Sequence, residues 1–341
     1  MSALRRAPAL LLTAVLALAV AACGEKASEP GGGSGGGEEA AYPAKDLRIM
    51  APADPGGGWD ETARVMQQSL REGKVTTQGV EVYNVPGAGG TIGLNRLVSK
   101  ENGNPYDLMV MGLVMVGAIE TNQSPTDLSK VTPIASLTAE AEVIVVPAKS
   151  EYETLDDLLA AFKANPTKIS WGGGSAGGTD QILVGLIAKA EGVDPSEVKY
   201  VAHSGGGEAK AAILSGGVTA GVSGVSEFAE DVEAGKMRAL AVSTGDSLPV
   251  GGQDTKDLKA QGVDVEVTNW RGVVAPPGID DATREQIVAM VDKLHETPAW
   301  TAAMEKYGWD DFYKTGDEFQ AFLDSETTRV KGVIADLGLS S

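Results

Sequence analysis

The 341 residues contain one cysteine and two histidines, and this scarcity removes whole classes of chemistry. A lone cysteine, Cys23, cannot close an internal disulfide, and its place near the start of the chain withholds it from service as a buried catalytic thiol. With His203 and His295 as the only histidines there is no Cys/His cluster of zinc-ligand spacing, and no D-x-D-x-D-G loop is present for calcium. The run PGGGWDET lacks the Lys-Ser/Thr that nucleotide phosphates and their metal require, and PGAGGTIG does not keep the G-x-G-x-x-G spacing. No cofactor is expected. Basic residues are also in the minority: 28 Lys and Arg stand against 47 Asp and Glu, a formal charge of -19. A chain this acidic is a poor partner for nucleic acid or for an anionic lipid surface. An anionic ligand would have to be held by local donors against the long-range field.

Long apolar runs are absent beyond the first residues. ALLLTAVLALAV (9–20), after Arg5 and Arg6, is short for a membrane span and has the form of a signal peptide. It ends in Val20-Ala21-Ala22-Cys23, which resembles a bacterial lipobox. Residues 1–22 are therefore expected to be removed and Cys23 lipidated, leaving the protein anchored to the extracytoplasmic face of the cell membrane; cleavage elsewhere as an ordinary signal peptide is the alternative. GEKASEPGGGSGGGEEA has almost nothing to bury, so 23–45 read as a lipidated cysteine and flexible tether. The remaining 300-odd residues are roughly two domains by length.

What is plentiful is glycine, 44 residues, and its placement carries the functional signal. From Asp46 onward short β-like runs alternate with helical patterns: LRIMA, VEVYNV, DLMVMG, EVIVV, KISWG, VKYVA, VTAGVS, MRALAVS and RGVVA are the candidate strands. Trp59, Ala63, Met66 and Leu70 share one helical face, as do Ile182, Leu183, Leu186, Ile187 and Ala190. Such alternation implies sheets covered by helices. Four glycine-rich turns (PADPGGGWDETAR, NVPGAGGTIGLNR, GGGSAGGTDQ and AHSGGGEAKA) each lead from a strand into a helix. Helix N-termini at the carboxyl ends of strands present unpaired N–H groups and the positive end of the helix dipole, which suits an anion. Sharp turns alone also call for glycine; four in this setting favour a binding role. Asp60 and Arg64, four apart at a helix start, either pair along the helix face or leave Asp60 to cap the N–H groups of its own turn.

One of these turns contains a literal G-x-S-x-G, Gly173 to Gly177, after a strand and before a helix, the context of a hydrolase nucleophile elbow. A triad on Ser175 needs a histidine and an orienting carboxylate. His203 falls in the wrong order for an α/β-hydrolase, and His295 sits in a helical pattern. Ser175 is better read as a hydroxyl donor to an anion, and no enzymatic activity is expected.

Taken in order, PADPGGGWDETAR, NVPGAGGTIGLNRL, WGGGSAGGTDQILVGLIAKAEGVDP, YVAHSGGGEAKAAILSGGVTAGVSGVSEF, AGKMRALAVS and NWRGVVAPPG resemble the substrate-binding protein of the tripartite tricarboxylate transporter, the Bug-type receptors, and its tricarboxylate branch in particular. The resemblance covers the chain from about Asp46 to the C-terminus. It implies an α/β, two-lobed periplasmic-binding-protein-like fold of type II, each lobe a mixed or parallel sheet flanked by helices. Lobe 1 would comprise 46–145 plus 269–341 and lobe 2 146–268, closing on a di- or tricarboxylate such as citrate. The resemblance implies that backbone amides hold the ligand: Gly56, Gly57, Gly58, Trp59 and Asp60 from one lobe, and Ser175, Ala176, Gly177, Gly178, Thr179 and Asp180 from the other. Ser204, Gly205 and Gly206 would line the same cleft. It also implies partners, the large and small integral membrane subunits of the transporter; delivery to a sensor is the alternative. Two positions depart from the family pattern. Gln181 stands where a histidine is usual, and His203 where a tyrosine or similar residue precedes the glycines.

Overall fold

The computed structural model describes residues 42–174, 176–203 and 206–340. The expected signal peptide, Cys23 and the tether as far as Ala41 lie outside the described residues, as do Ser175, Ser204 and Gly205. The chain first runs β1 (Leu47–Ala51), α1 (Gly58–Glu72), β2 (Val80–Asn84), α2 (Thr91–Lys100), β3 (Asp107–Gly112), α3 (Leu113–Thr121) and β4 (Thr132–Ala139). It continues as β5 (Glu142–Pro147), α4 (Leu155–Ala164), β6 (Ser170–Gly173), α5 (Thr179–Ala190), β7 (Lys199–Ala202), α6 (Gly206–Leu214), β8 (Ala220–Gly224), α7 (Val225–Glu233) and β9 (Met237–Val242). A hairpin, β10 (Leu248–Val250) and β11 (Gln253–Thr255), precedes β12 (Arg271–Ala275), α8 (Asp281–His295), α9 (Pro298–Tyr307), β13 (Asp310–Thr315) and α10 (Gly316–Asp336).

Two mixed sheets result. The first has the order β13-β4-β12-β3-β1-β2, with β1 parallel to β2 and β3, and β12 antiparallel to β3 and β4. The second has the order β7-β6-β8-β5-β9, with β6 parallel to β7 and β8, and β5 antiparallel to β8 and β9. With helices on their faces, they form the α/β, two-lobed architecture of periplasmic binding proteins. All nine expected strands are present, some displaced by a residue or two. Those not expected are β4, β13 and the β10–β11 hairpin. β4 is buried along nearly its whole length and begins around Pro133, so it has neither polar alternation nor an uninterrupted β-branched run. β13 reads DDFYKT, an edge strand whose charges face water.

The chain passes between the sheets twice, and the two passages pair with each other. Glu140 and Asn269 exchange main-chain hydrogen bonds (3.2 and 2.9 Å), and Ala141 bridges Thr268. Ser243 adds to the seam: its hydroxyl accepts from the Glu142 N–H at 2.9 Å and donates to the Val267 carbonyl at 2.5 Å. β5 hydrogen-bonds entirely within the second sheet, so the first passage falls at Glu140–Ala141, a few residues before the division expected after 145. The C-terminal helix serves both sheets. Phe319 packs under Gly272 and edge-on to Trp270, whereas Leu337 lies against Gly185 of α5 and Asp336 pairs with Lys189 at 2.5 Å. The end of α10 thus rests on α5, a helix that covers the second sheet. That second contact buries α5 almost all round, from Gln181 to Gly185 without interruption.

Trp300 anchors α9 against the first sheet: it is fully buried, with its ring 6.4 Å from that of Trp309. Trp300→Ala is expected to lose about 3–5 kcal/mol through the cavity it leaves. The loss would be read as a lower urea midpoint at unchanged slope.

Candidate functional site

The turn between β1 and α1 owes its shape to one carboxylate. Gly56 has φ 87°, a left-handed conformation that favours glycine. Its N–H donates to Asp60 Oδ2 at 2.9 Å. Asp60 is buried and also accepts from Asn84 Nδ2 (2.9 Å) and Arg64 Nε (2.8 Å), while Asn84 reaches the Ala53 carbonyl at 3.0 Å. Burial raises the Asp60 pKa, but the bonds from Arg64, Gly56 and Asn84 outweigh it and hold the carboxyl below its ordinary value. Both readings of Asp60 are thus realised at once: it pairs with Arg64 and fastens its own turn.

The turn between β6 and α5 repeats the device. Gly174 N–H donates to Asp180 Oδ2 at 2.5 Å, and Gly177 N–H donates to Gln181 Oε1 at 2.8 Å. Gln181, the departure from the family pattern, therefore shapes the loop through its side-chain oxygen. Tyr200 donates to the Gly174 carbonyl at 3.1 Å and leaves no room for a side chain at Gly173, whose Cβ would fall 2.3 Å from the Tyr200 hydroxyl.

With the Gly56, Gly174 and Gly177 amides engaged inside the loops, the outward donors are those of the first helical turns. Both α1 and α5 begin on glycine N-caps, Gly57 and Gly178, with no side-chain cap, as do α2, α3 and α7 on Gly90, Gly112 and Gly224, whereas α4, α8 and α9 are capped by Thr154, Asp280 and Thr297. First-turn amides have no intrahelical acceptor, so Gly58, Trp59 and Asp60 on one side and Thr179 on the other can receive an anion, whereas the Asp180 N–H bonds its own carboxylate. The two turns meet on α3. A Cβ at Gly117 would lie 1.9 Å from the Gly177 carbonyl oxygen, and the Trp59 ring lies against Gly90 and beside Gly112, where α3 begins. The glycines of NVPGAGG thus make room for Trp59. Of the predicted site residues, Gly177 rests on α3 and Trp59 lies beside its start; Gly206 opens α6, and Ser175, Ser204 and Gly205 lie outside the described residues.

Residues 62–339 match the family described as the tripartite tricarboxylate transporter family receptor. The chain belongs to this receptor family. BugT of Bordetella pertussis is 25% identical to the receptor over 301 residues, covering 87% of this chain and 90% of BugT. Among solved structures, MatC of Rhodopseudomonas palustris with bound malate superimposes with a TM-score of 0.72 at 20% identity, covering 86% of this chain and 100% of MatC. A second R. palustris protein, with adipate, gives 0.74 at 20%, covering 87% and 98%. The fold and family are those of solute-binding receptors rather than enzymes.

The histidines of the receptor fit that class. His203 is tied to Gly173 through its main-chain N–H and through Nδ1, each at 3.0 Å from the carbonyl oxygen, so Nδ1 carries the proton. His295 bonds Asp311 at 2.9 Å and stacks on Tyr313. Among the described residues no group of acids and histidines is arranged to hold a metal, and no helix is long and apolar enough to cross a membrane.

Beneath the two turns lies a cluster of buried charges that the sequence reading did not single out. Arg271, the first residue of β12, places Nη2 3.2 Å from Glu140 Oε2, and both side chains are buried. Glu140 Oε1 accepts from the Ser226 N–H (3.1 Å) and hydroxyl at the start of α7. Glu142 is wholly buried, with neither carboxyl oxygen hydrogen-bonded. Burial raises its pKa well above the ordinary value, and the nearby Asp180 and Glu140 carboxyls add to the rise. Burial also pushes Asp180 up, to about 6, against the pull of the Gly174 N–H. Alternating carboxylates in EAEVIVV were the available signal: charge at the head of a buried strand needs a partner.

Because the folded pKa of Glu142 exceeds its ordinary 4.5, its contribution to stability is complete below that pH and is lost as pH rises through the folded value. Glu142→Gln has no charge to bury. It is expected to be more stable than the unsubstituted protein at pH 8, with the advantage shrinking towards pH 4.5, as read from urea midpoints. A pH-independent difference would show that Glu142 does not titrate in this way.

Proposed function

We propose that the protein is an exported, lipid-anchored receptor that captures a di- or tricarboxylate, citrate-like in class, between its two lobes. It would deliver that ligand to the large and small integral membrane subunits of a tripartite tricarboxylate transporter. The supporting observation is the pair of uncapped helix starts, α1 and α5, brought together on α3 from different sheets. Each contributes first-turn amides and a dipole of the sign that favours an anion. A ligand with carboxylates at two ends would occupy both. The malate and adipate held by the two R. palustris proteins have that form. In this reading 56–60 form one cradle and 175–180 the other, with 204–206 along the same cleft. The paired passages at Glu140–Ala141 and Thr268–Asn269 are the hinge about which lobe 2 turns, and Cys23 carries the lipid.

Two measurements test the proposal. In a thermal-shift panel of malate, succinate, adipate and citrate, a ligand at 100 times its Kd adds about 2.7 kcal/mol to stability, and Trp59 fluorescence should change with the same ligand. If amino acids or sugars raise Tm and none of the carboxylates does, the assignment is wrong. For the anchor, cells fed labelled palmitate should label the protein, and Cys23→Ala should abolish the label and release the protein to the soluble fraction.

A further inference from the structure

We infer that Arg271 reads the charge of the ligand: Nη1 takes one carboxylate of the bound anion while Nη2 remains on Glu140. The inference rests on the carboxylate-receptor reading and names the side chain that gives it charge selectivity. Arg271 is more than nine-tenths buried, and its Nη1 has no hydrogen-bond acceptor. A guanidinium carries five donors in a planar fork suited to two acceptors at once, and here Glu140, at 3.2 Å, is the acceptor for Nη2. Trp309 covers it on one side, 5.3 Å from the ring centre.

The other side is the start of α1. A Cβ on Gly58 would fall 2.7 Å from Nη2 and 3.0 Å from the guanidinium carbon, so the first helical residue is a glycine because the arginine occupies that space. The guanidinium therefore abuts the start of α1 through its Nη2 and Nε edge, and the cation and the first-turn amides favour charge of the same sign.

The surroundings explain why such a cation is needed. Arg271 acts on Glu61, Glu140 acts on both Glu61 and Asp310, and Glu227 feels Arg271, Glu140 and Glu61, with Lys210 and Lys306 contributing at the edge. Amides alone would hold an anion against these acids and against a chain charge of -19. A buried guanidinium beside the amides offsets that repulsion where the anion sits. It also connects the ligand to the hinge. Glu140 lies in the first passage between the sheets, Arg271 follows the second, and Ser226 opens a helix of the second sheet. Ligand carboxylate, Arg271, Glu140 and Ser226 form one line of charge-assisted bonds from lobe to lobe.

Isothermal titration of the full-length receptor in detergent with malate, adipate and the monoamide of each tests this. Arg271→Gln alone would orphan the buried Glu140, so the variants are the double substitution Arg271→Gln/Glu140→Gln and, as a second, Arg271→Lys. The double variant is expected to bind the dianions about 10- to 100-fold more weakly and to lose most of the preference for dianion over monoamide. Arg271→Lys, which keeps the charge but not the fork, should fall between and still prefer the dianion. A purely structural role would weaken dianion and monoamide alike and leave the preference intact, which overturns the inference. A folded double variant that binds malate or adipate within threefold of the unsubstituted receptor overturns it too. If the unsubstituted receptor binds no carboxylate at all, the receptor reading itself fails and takes the inference with it. That outcome is distinct from a receptor that binds and is indifferent to Arg271.

Discussion

The pairing of Glu140 with Asn269 is the constraint on which the rest of the molecule depends. Through it two passages far apart in sequence run side by side, and their hydrogen bonds join the two sheets. It also buries the Glu140 carboxylate, which must then be matched. Arg271 and Ser226 do this from opposite sheets. A buried ion pair is a net gain only when its remaining lone pairs are bonded as well, and Glu140 has both oxygens occupied.

The same economy of charge governs the two glycine-rich turns before α1 and α5. Each is fastened by an acid that turns back to bond loop amides, Asp60 onto Gly56 and Asp180 onto Gly174. Two fixed carboxylates beside an anion site would oppose the ligand. Asp60 is screened by Arg64 and Asn84, whereas Asp180 lies beside Glu142, whose burial favours the protonated form. The protein thus preserves the rigidity that an acid gives a turn while limiting the negative potential at the helix starts. The first-turn amides that remain are preorganised, because the loop is held by bonds that exist before any ligand arrives.

Glycine has a different task at each place. At Gly56 it permits a left-handed turn; at Gly173 it admits the Tyr200 hydroxyl; at Gly58 it makes way for a guanidinium; and at Gly117 it lets the Gly177 carbonyl close on α3. All four were visible in the sequence as glycine, and three belonged to the expected cradles or their turn. The distinction between a residue that presents its amide and one that makes room for a neighbour depends on what lies across the gap.

The sequence by itself determined the α/β class, nine strands, both principal turns and the family, because each rests on local signals: apolar runs, helical periodicity, glycine after a strand and before a helix. Asp60 and its pairing with Arg64 were legible for the same reason, being four residues apart. Only the tertiary structure decided the rest. β4 shows no alternation because both its faces are covered, and β13 looks polar because it lies at an edge. The end of α10 joins a helix of the other sheet, and Arg271 meets a glutamate 131 positions away. Contacts of that separation leave no periodicity in the chain, since what selects them is the space and the unpaired charge that the folded sheets bring together.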